Sequence, residues 1–200
     1  MQLYMFNKPK GCITARSDAT HKTVMDYFPE DIRKNCFPVG RLDKDTTGLL
    51  LVTDDGKLLD NLMSPDNNVS KTYEFWAYGE LDGIKLDKLK NGIDIGRGRE
   101  EMTFPCEVKV ICQGTYGQYK DKMKLDECEE INHKGDSQKV VCGRIIITQG
   151  KKHQVKRMLR AAGCYIVRLK RVAIGELWLD KELKPGEYKR IKKECEDISK

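Results

Sequence analysis

The segment Val39 to Gly56, VGRLDKDTTGLLLVTDDG, constrains the fold more than any other part of the chain. Two apolar runs flank a polar stretch that holds two threonines and Gly48. Short apolar runs bounded by turn-forming residues are strands, so the segment is strand, polar turn, strand. That order sets Asp43 at a strand end or in a loop, where a rigid scaffold can aim a side chain into a cleft. Asp43 and Asp45 serve equally well as turn formers that bond their own backbone, and spacing alone leaves both readings open.

The rest of the chain alternates short strand-like runs with fewer helical ones. Strands are expected at Leu3 to Phe6, Phe37 to Arg41, Leu49 to Thr53, Lys71 to Tyr78, Thr103 to Cys112, Val140 to Thr148, Tyr165 to Val172 and Glu176 to Leu179. Helices are expected to begin near Lys22, Asp55, Gly83, Lys151 and Pro185. No strict βαβ rhythm emerges, which favours an α+β fold with a largely antiparallel mixed sheet flanked by helices over a doubly wound one. At 200 residues the chain suits a single domain, 1–200, divisible into subdomains of about 1–63 and 64–200. Residues 113–139 hold six acidic and five basic residues with little periodicity. They are expected to be an insertion between two strands, a long hairpin or a mobile flap.

Composition narrows the partners. The 39% hydrophobic and 34% charged fractions are those of a folded globular chain. The net charge of +6 is less telling than its distribution, because Lys151 to Arg171 holds eight Lys or Arg and no acidic residue. A polyanion is the natural partner of such a segment. The eight cysteines form no CxxC pair, so zinc-ribbon and thioredoxin-like spacings are absent. Cys128 and His133 are the only pair that invites a ligand reading, and a weak one. The N-terminus lacks the apolar run of a signal peptide, and no apolar stretch approaches a membrane span. The expected address is the cytoplasm, where thiols stay reduced.

Thr148 to Gly163, TQGKKHQVKRMLRAAG, follows a strand and closes on a glycine suited to a helix end. At roughly 100° per residue, Val155, Met158, Leu159 and Ala162 share one apolar face. Lys152, Lys156 and Arg160 form a neighbouring stripe at i, i+4 spacing. Lys156 lies closest to the apolar face, which suits a cation that must reach a buried carboxylate. A solvated helix face explains Lys152 and Arg160 better than catalysis does, and His153 either touches the polyanion or satisfies a local hydrogen bond. Trp76 and Trp178 sit in strand-like runs and read as core or edge packing.

VGRLDKDTTGLLLVTDDG and QGKKHQVKRMLRAAG together resemble the RsuA branch of the ribosomal RNA pseudouridine synthases. Phe6-Asn7-Lys8-Pro9-Lys10-Gly11, Lys71-Thr72-Tyr73 and Leu183-Lys184-Pro185-Gly186-Glu187-Tyr188 match further landmarks of that family in the same order. The resemblance implies the pseudouridine synthase catalytic fold with a central active-site cleft. It implies that Asp43 is the catalytic aspartate and nucleophile, that Tyr73 lies against the target base, and that Lys156 pairs with Asp43. It places Arg41 at the flipped-out nucleotide, with Lys152, His153, Arg157 and Arg160 as candidates for RNA contact. The expected partner is structured RNA, a ribosomal RNA or an assembly intermediate, bound by a monomer. HQVKRM leans towards the small-subunit enzymes. Many relatives carry an S4 domain before the catalytic domain, whereas here the landmark FNKPKG begins at Phe6, so RNA recognition is expected to rest on the catalytic domain or a partner.

The chemistry fits these assignments. Making pseudouridine breaks the N-glycosidic bond, turns the base and rejoins it through C5, which calls for a carboxylate at the ribose and a shaped pocket but no cofactor and no metal. An ionised Asp43 in a dry pocket needs an opposite charge, which Lys156 supplies. Tyr73 offers a flat surface for uracil and a hydroxyl for proton work at C5. Two other classes remain on the sequence alone. Asp43-Lys44-Asp45-Thr46-Thr47 fits DxDxT, the nucleophile motif of haloacid-dehalogenase-like phosphatases, and a non-catalytic RNA-binding, ribosome-associated module would share the basic helix.

Overall fold

The computed structural model describes residues 1–123, 135–192 and 198. Among them are nine strands in mixed pairing and five α-helices, as the α+β reading expects. The chain forms two compact units, one of residues 1–72 and 170–200 and the other of residues 73–169. Where the sequence suggested one cut near residue 63, the first unit is therefore discontinuous.

In the first unit β1 (Leu3–Lys8) pairs with two antiparallel neighbours, β3 (Thr47–Thr53) and β9 (Tyr188–Arg190), and is buried at every position, with Leu3 and Met5 packed on Leu58 and Leu62 and Tyr4 and Phe6 on Phe28. A strand buried on both faces cannot alternate polar and apolar residues, which is why LYMFNK shows no period of two. The register runs from Leu3 opposite Thr53 to Lys8 opposite Gly48. It thereby sets Lys8 beside the turn that carries Asp43. β2 (Phe37–Val39) pairs antiparallel with β3, and β7 (Tyr165–Ile174) meets β3 in parallel at Thr47 and Gly48. β8 (Leu177–Trp178) folds back on β7.

α1 (Glu30–Asn35) begins after Pro29 and follows a 3-10 turn at Val24–Tyr27, in place of the single helix expected near Lys22. α2 (Gly56–Met63) starts where expected. The Asp55 carboxylate accepts from the Lys57 and Leu58 N–H groups, satisfying donors that a helix start leaves orphaned. Leu58 and Leu62 then pack with Leu3, Leu49, Leu51 and Ile174.

The helix expected from Pro185 does not form. Pro185 and Gly186 make a turn instead, with Gly186 at φ +89, and Tyr188 continues as β9 against β1. Tyr188 packs on Phe28 with ring centroids 4.3 Å apart. That long-range contact outweighs the weak helical pattern of Pro185 to Lys192.

In the second unit β4 (Lys71–Tyr78, from Tyr73 onward), β5 (Glu107–Thr115) and β6 (Lys139–Ile147) lie in the order β5-β6-β4. α3 (Gly83–Asn91) is capped by Asp82. α5 (Gln154–Ala161) buries Val155, Met158, Leu159 and the following Ala162 against Phe75, Ala77, Val141 and Ile145, the apolar face that the sequence spacing predicts.

The insertion is structured where it is described. β5 runs on to Thr115, and α4 (Tyr116–Met123) packs Tyr116 and Met123 on Val140, Trp76 and Tyr78, in place of a bare hairpin at that end. Residues 124–134, with Cys128 and His133, lie outside the described residues. Trp76 is thus a packing residue, while Trp178 on β8 is 50% exposed.

Candidate functional site

The first unit carries Asp43 on a turn fixed from below by side chains of β1 and of the loop after it. The Thr46 N–H donates to the Asp43 carbonyl at 3.1 Å, and the Gly11 N–H donates to the Lys44 carbonyl at 2.8 Å. Thr14 clamps the preceding residue twice, donating from Oγ1 to the Leu42 carbonyl at 2.8 Å and accepting from the Leu42 N–H at 3.1 Å. Lys8 is fully buried. Its Nζ donates to the carbonyls of Thr46 at 2.9 Å, Pro9 at 3.0 Å and Lys44 at 3.3 Å. The carbonyls of residues 42, 43, 44 and 46 therefore all have donors, and the half-buried Asp43 side chain stands on a backbone with little freedom. Arg41, two residues earlier, is exposed.

The exit from the turn is equally constrained. Gly48 has φ +98, and a Cβ there would stand 2.2 Å from the Arg171 carbonyl oxygen, so only glycine lets the two strands approach. Arg171 is 2% exposed. Its Nε donates to the Leu49 carbonyl at 2.8 Å, and its Nη2 is buried without a hydrogen-bond partner. Burial and the Arg171 charge push the Lys71 ammonium down to about 8.

The second unit carries Tyr73 and α5. Tyr73 is half-buried and packs against the core that contains Phe75 and Val155. α5 opens on His153, a non-glycine residue at φ 52 and ψ 31. This left-handed conformation is uncommon and marks a fixed feature of the chain entry. Gln154 is buried and accepts from the Lys151 N–H at 2.9 Å, while Gln149 accepts from the Phe104 N–H at 2.9 Å. The two amides thus order the approach to the helix.

Lys156 is half-buried on the edge of the apolar face, and Lys152 and Arg160 are exposed. The Arg160 guanidinium lies 5.7 Å from the centre of the Tyr165 ring. Arg157, expected among the phosphate contacts, turns inward. Its Nε and Nη2 donate to the Ile95 carbonyl at 3.0 and 2.5 Å, and Nη2 also pairs with the Glu101 carboxylate. That pairing holds Glu101 below the usual carboxylate range, with Lys151 adding to the effect. Nε and Nη2 of Arg157 are thus spent on the 94–103 loop, and its Nη1 donates to the Lys152 carbonyl at 3.3 Å.

Sequence reasoning singled out Asp43, Tyr73 and Lys156 but gave Lys8 no task beyond its place in FNKPKG, and it did not single out Thr14 or Arg171. The available signal was a lysine closing a strand whose first four residues are apolar, a position where an ammonium is tolerated only with oxygen partners.

Residues 2–161 match the family model described as RNA pseudouridylate synthase, and the chain belongs to that family. It is an RNA pseudouridine synthase, an isomerase. It is 36% identical over 191 residues to the uncharacterized RNA pseudouridine synthase YtzG of Bacillus subtilis, covering 95% of this chain and 70% of that one. It is 33% identical over 190 residues to ribosomal small subunit pseudouridine synthase A of Vibrio cholerae, with the same coverage of 95% and 70%. A crystal structure of a pseudouridylate synthase matches with a TM-score of 0.78 at 31% identity, over 98% of this chain and 73% of the other. Membership sets aside the phosphatase reading of Asp43-Lys44-Asp45-Thr46-Thr47.

Proposed function

We propose that the chain isomerises one uridine of small-subunit ribosomal RNA to pseudouridine, with the Asp43 carboxylate as nucleophile. The observation that carries this reading is the clamped turn. A carboxylate that must meet one sugar carbon gains most from a backbone that does not move, and the carbonyls of residues 42, 43, 44 and 46 are tied down. In the reaction the bond between N1 and C1′ breaks, the uracil turns, and a bond forms between C5 and C1′. The proton leaving C5 is balanced by one gained at N1, so the product is an isomer and no redox agent enters.

Tyr73 lies against the base, and Lys156 is the cation that balances Asp43. Arg41 holds the flipped nucleotide, whose extraction from its stack costs a few kcal/mol. Lys152, Arg160 and His153 line the RNA path. Arg157 acts from behind them by holding the 94–103 loop. The substrate class rests on the small-subunit relatives, and the working form is a cytoplasmic monomer. The test is Asp43→Asn, which removes a charge but little volume. It should abolish pseudouridine formation while circular dichroism and RNA affinity stay at wild-type levels. Turnover within a few-fold of wild type would end the nucleophile assignment. Mapping pseudouridines in ribosomal RNA from cells with and without the gene tests the substrate independently.

A further inference from the structure

The β5–β6 pair contains two cysteines that the reaction does not use. The register sets Val110 opposite Gly143 and Cys112 opposite Cys142, with an irregularity that leaves Ile111 as the extra residue of a bulge. Opposed residues of an antiparallel pair point to the same face. Val110 packs on the core of the second unit, and Gly143 abuts Phe75 of that core. Without the bulge Cys112 would share the face of Val110. The extra residue turns it onto the opposite face, the face of Cys142.

Both thiols are free and partly exposed, unlike the buried Cys12, Cys36 and Cys164. Directly opposed residues have Cα atoms about 4.5 to 5.5 Å apart, within the roughly 4.4 to 6.8 Å that a disulfide spans.

We infer that Cys112 and Cys142 form a redox-active dithiol, a covalent modification site that exchanges with low-molecular-weight disulfides of the glutathione class. The Cys112 thiolate attacks one sulfur of the small disulfide, whose S–S bond breaks and releases one thiol. The mixed disulfide on Cys112 is then attacked by Cys142 as it loses its proton, which expels the second thiol and forms the Cys112–Cys142 bond. Two protein thiols are oxidised and one small disulfide is reduced to two thiols.

Burial, the neighbouring Cys112 sulfur and the Glu74 charge push the Cys142 thiol up to about 12. Cys142 is thus a poor first nucleophile and the resolving partner in this order of events. The bond would join β5 to β6 across the segment that contains α4, and excess small thiol would reverse it.

The experiment is to incubate the reduced full chain with glutathione disulfide, count free thiols and map tryptic peptides. Residues 110–120 and 140–144 each hold one cysteine between cleavage sites. The expected result is the loss of two free thiols, a linked peptide joining those two segments, and full recovery with reduced glutathione. Cys142→Ser should stop at a stable glutathione adduct on Cys112, whereas Cys112→Ser should leave Cys142 unmodified over the same interval. Unchanged thiol counts, a persistent wild-type adduct on Cys112, or a linkage between any other pair would overturn the assignment. The wild-type map alone decides the matter if either variant folds poorly.

Discussion

A buried ammonium is stable only where oxygen atoms replace its water shell, and Lys8 has three carbonyls within 3.3 Å. Two of them belong to the turn that carries Asp43. Lys8→Met fills the same space but leaves those carbonyls without this donor. The expected loss of stability is on the order of 3 kcal/mol, since each buried unsatisfied group costs about 1 to 3 kcal/mol and relief from burying a charge offsets part of it. Single-turnover rates should fall more than RNA affinity does, because the change loosens the turn rather than the binding surface. Wild-type stability together with a wild-type rate would show that the turn holds without Lys8. At this scale the sequence made Asp43 legible, because its strand, turn and glycine are local. It left Lys8 without a role, because a lysine reaching carbonyls 36 and 38 positions away has no local signature.

Elements with one strong period were read correctly. The α5 spacing named Val155, Met158, Leu159 and Ala162, and all four are buried. Elements fixed by partners far along the chain were not, as Pro185 and Tyr188 show. A helical wheel also cannot say which boundary cation finds a distant carboxylate, so Arg157 was grouped with Lys152 and Arg160 although Glu101 and Ile95 engage it. On the proposed function, α5 then serves two tasks, RNA contact through Lys152 and Arg160 and support of the 94–103 loop through Arg157. Neutralising Lys152 and Arg160 together should weaken RNA binding and flatten its dependence on log salt by about 0.7 to 0.9 per lost phosphate contact. Chemistry on saturating RNA should hardly change. Arg157→Gln should instead lower thermal stability and leave the slope nearly intact. An unaltered slope in the double variant would move the RNA path elsewhere.

At the scale of the molecule, the discontinuous first unit follows from β9 closing on β1, a pairing that no local pattern announces. Among its described residues that unit buries three cations, Lys8, Lys71 and Arg171, in a chain whose net charge is already +6, and the cost of doing so should appear in the pH dependence of stability. Lys71 falls from 10.5 to about 8 through burial and the Arg171 charge. Below pH 8 it is protonated in both the folded and unfolded states. Between 8 and 10.5 the unfolded chain keeps a proton that the folded chain has released, so stability rises with pH across that window. Integrated over the shift, the rise amounts to about 3 kcal/mol.

The buried thiols act in the opposite direction. Cys12, Cys36 and Cys164 are raised by burial, so the folded chain holds protons that the unfolded chain loses above about 9, and their contribution falls as pH rises. The difference between wild type and Lys71→Met isolates the lysine. Chemical denaturation of both proteins at several pH values from 7 to 10.5 should show wild type gaining on the variant by about 3 kcal/mol, nearly all of it above pH 8. A difference that stays flat across this range would mean that Lys71 titrates in the fold as it does in the open chain, and that the strands around it admit water to the ammonium.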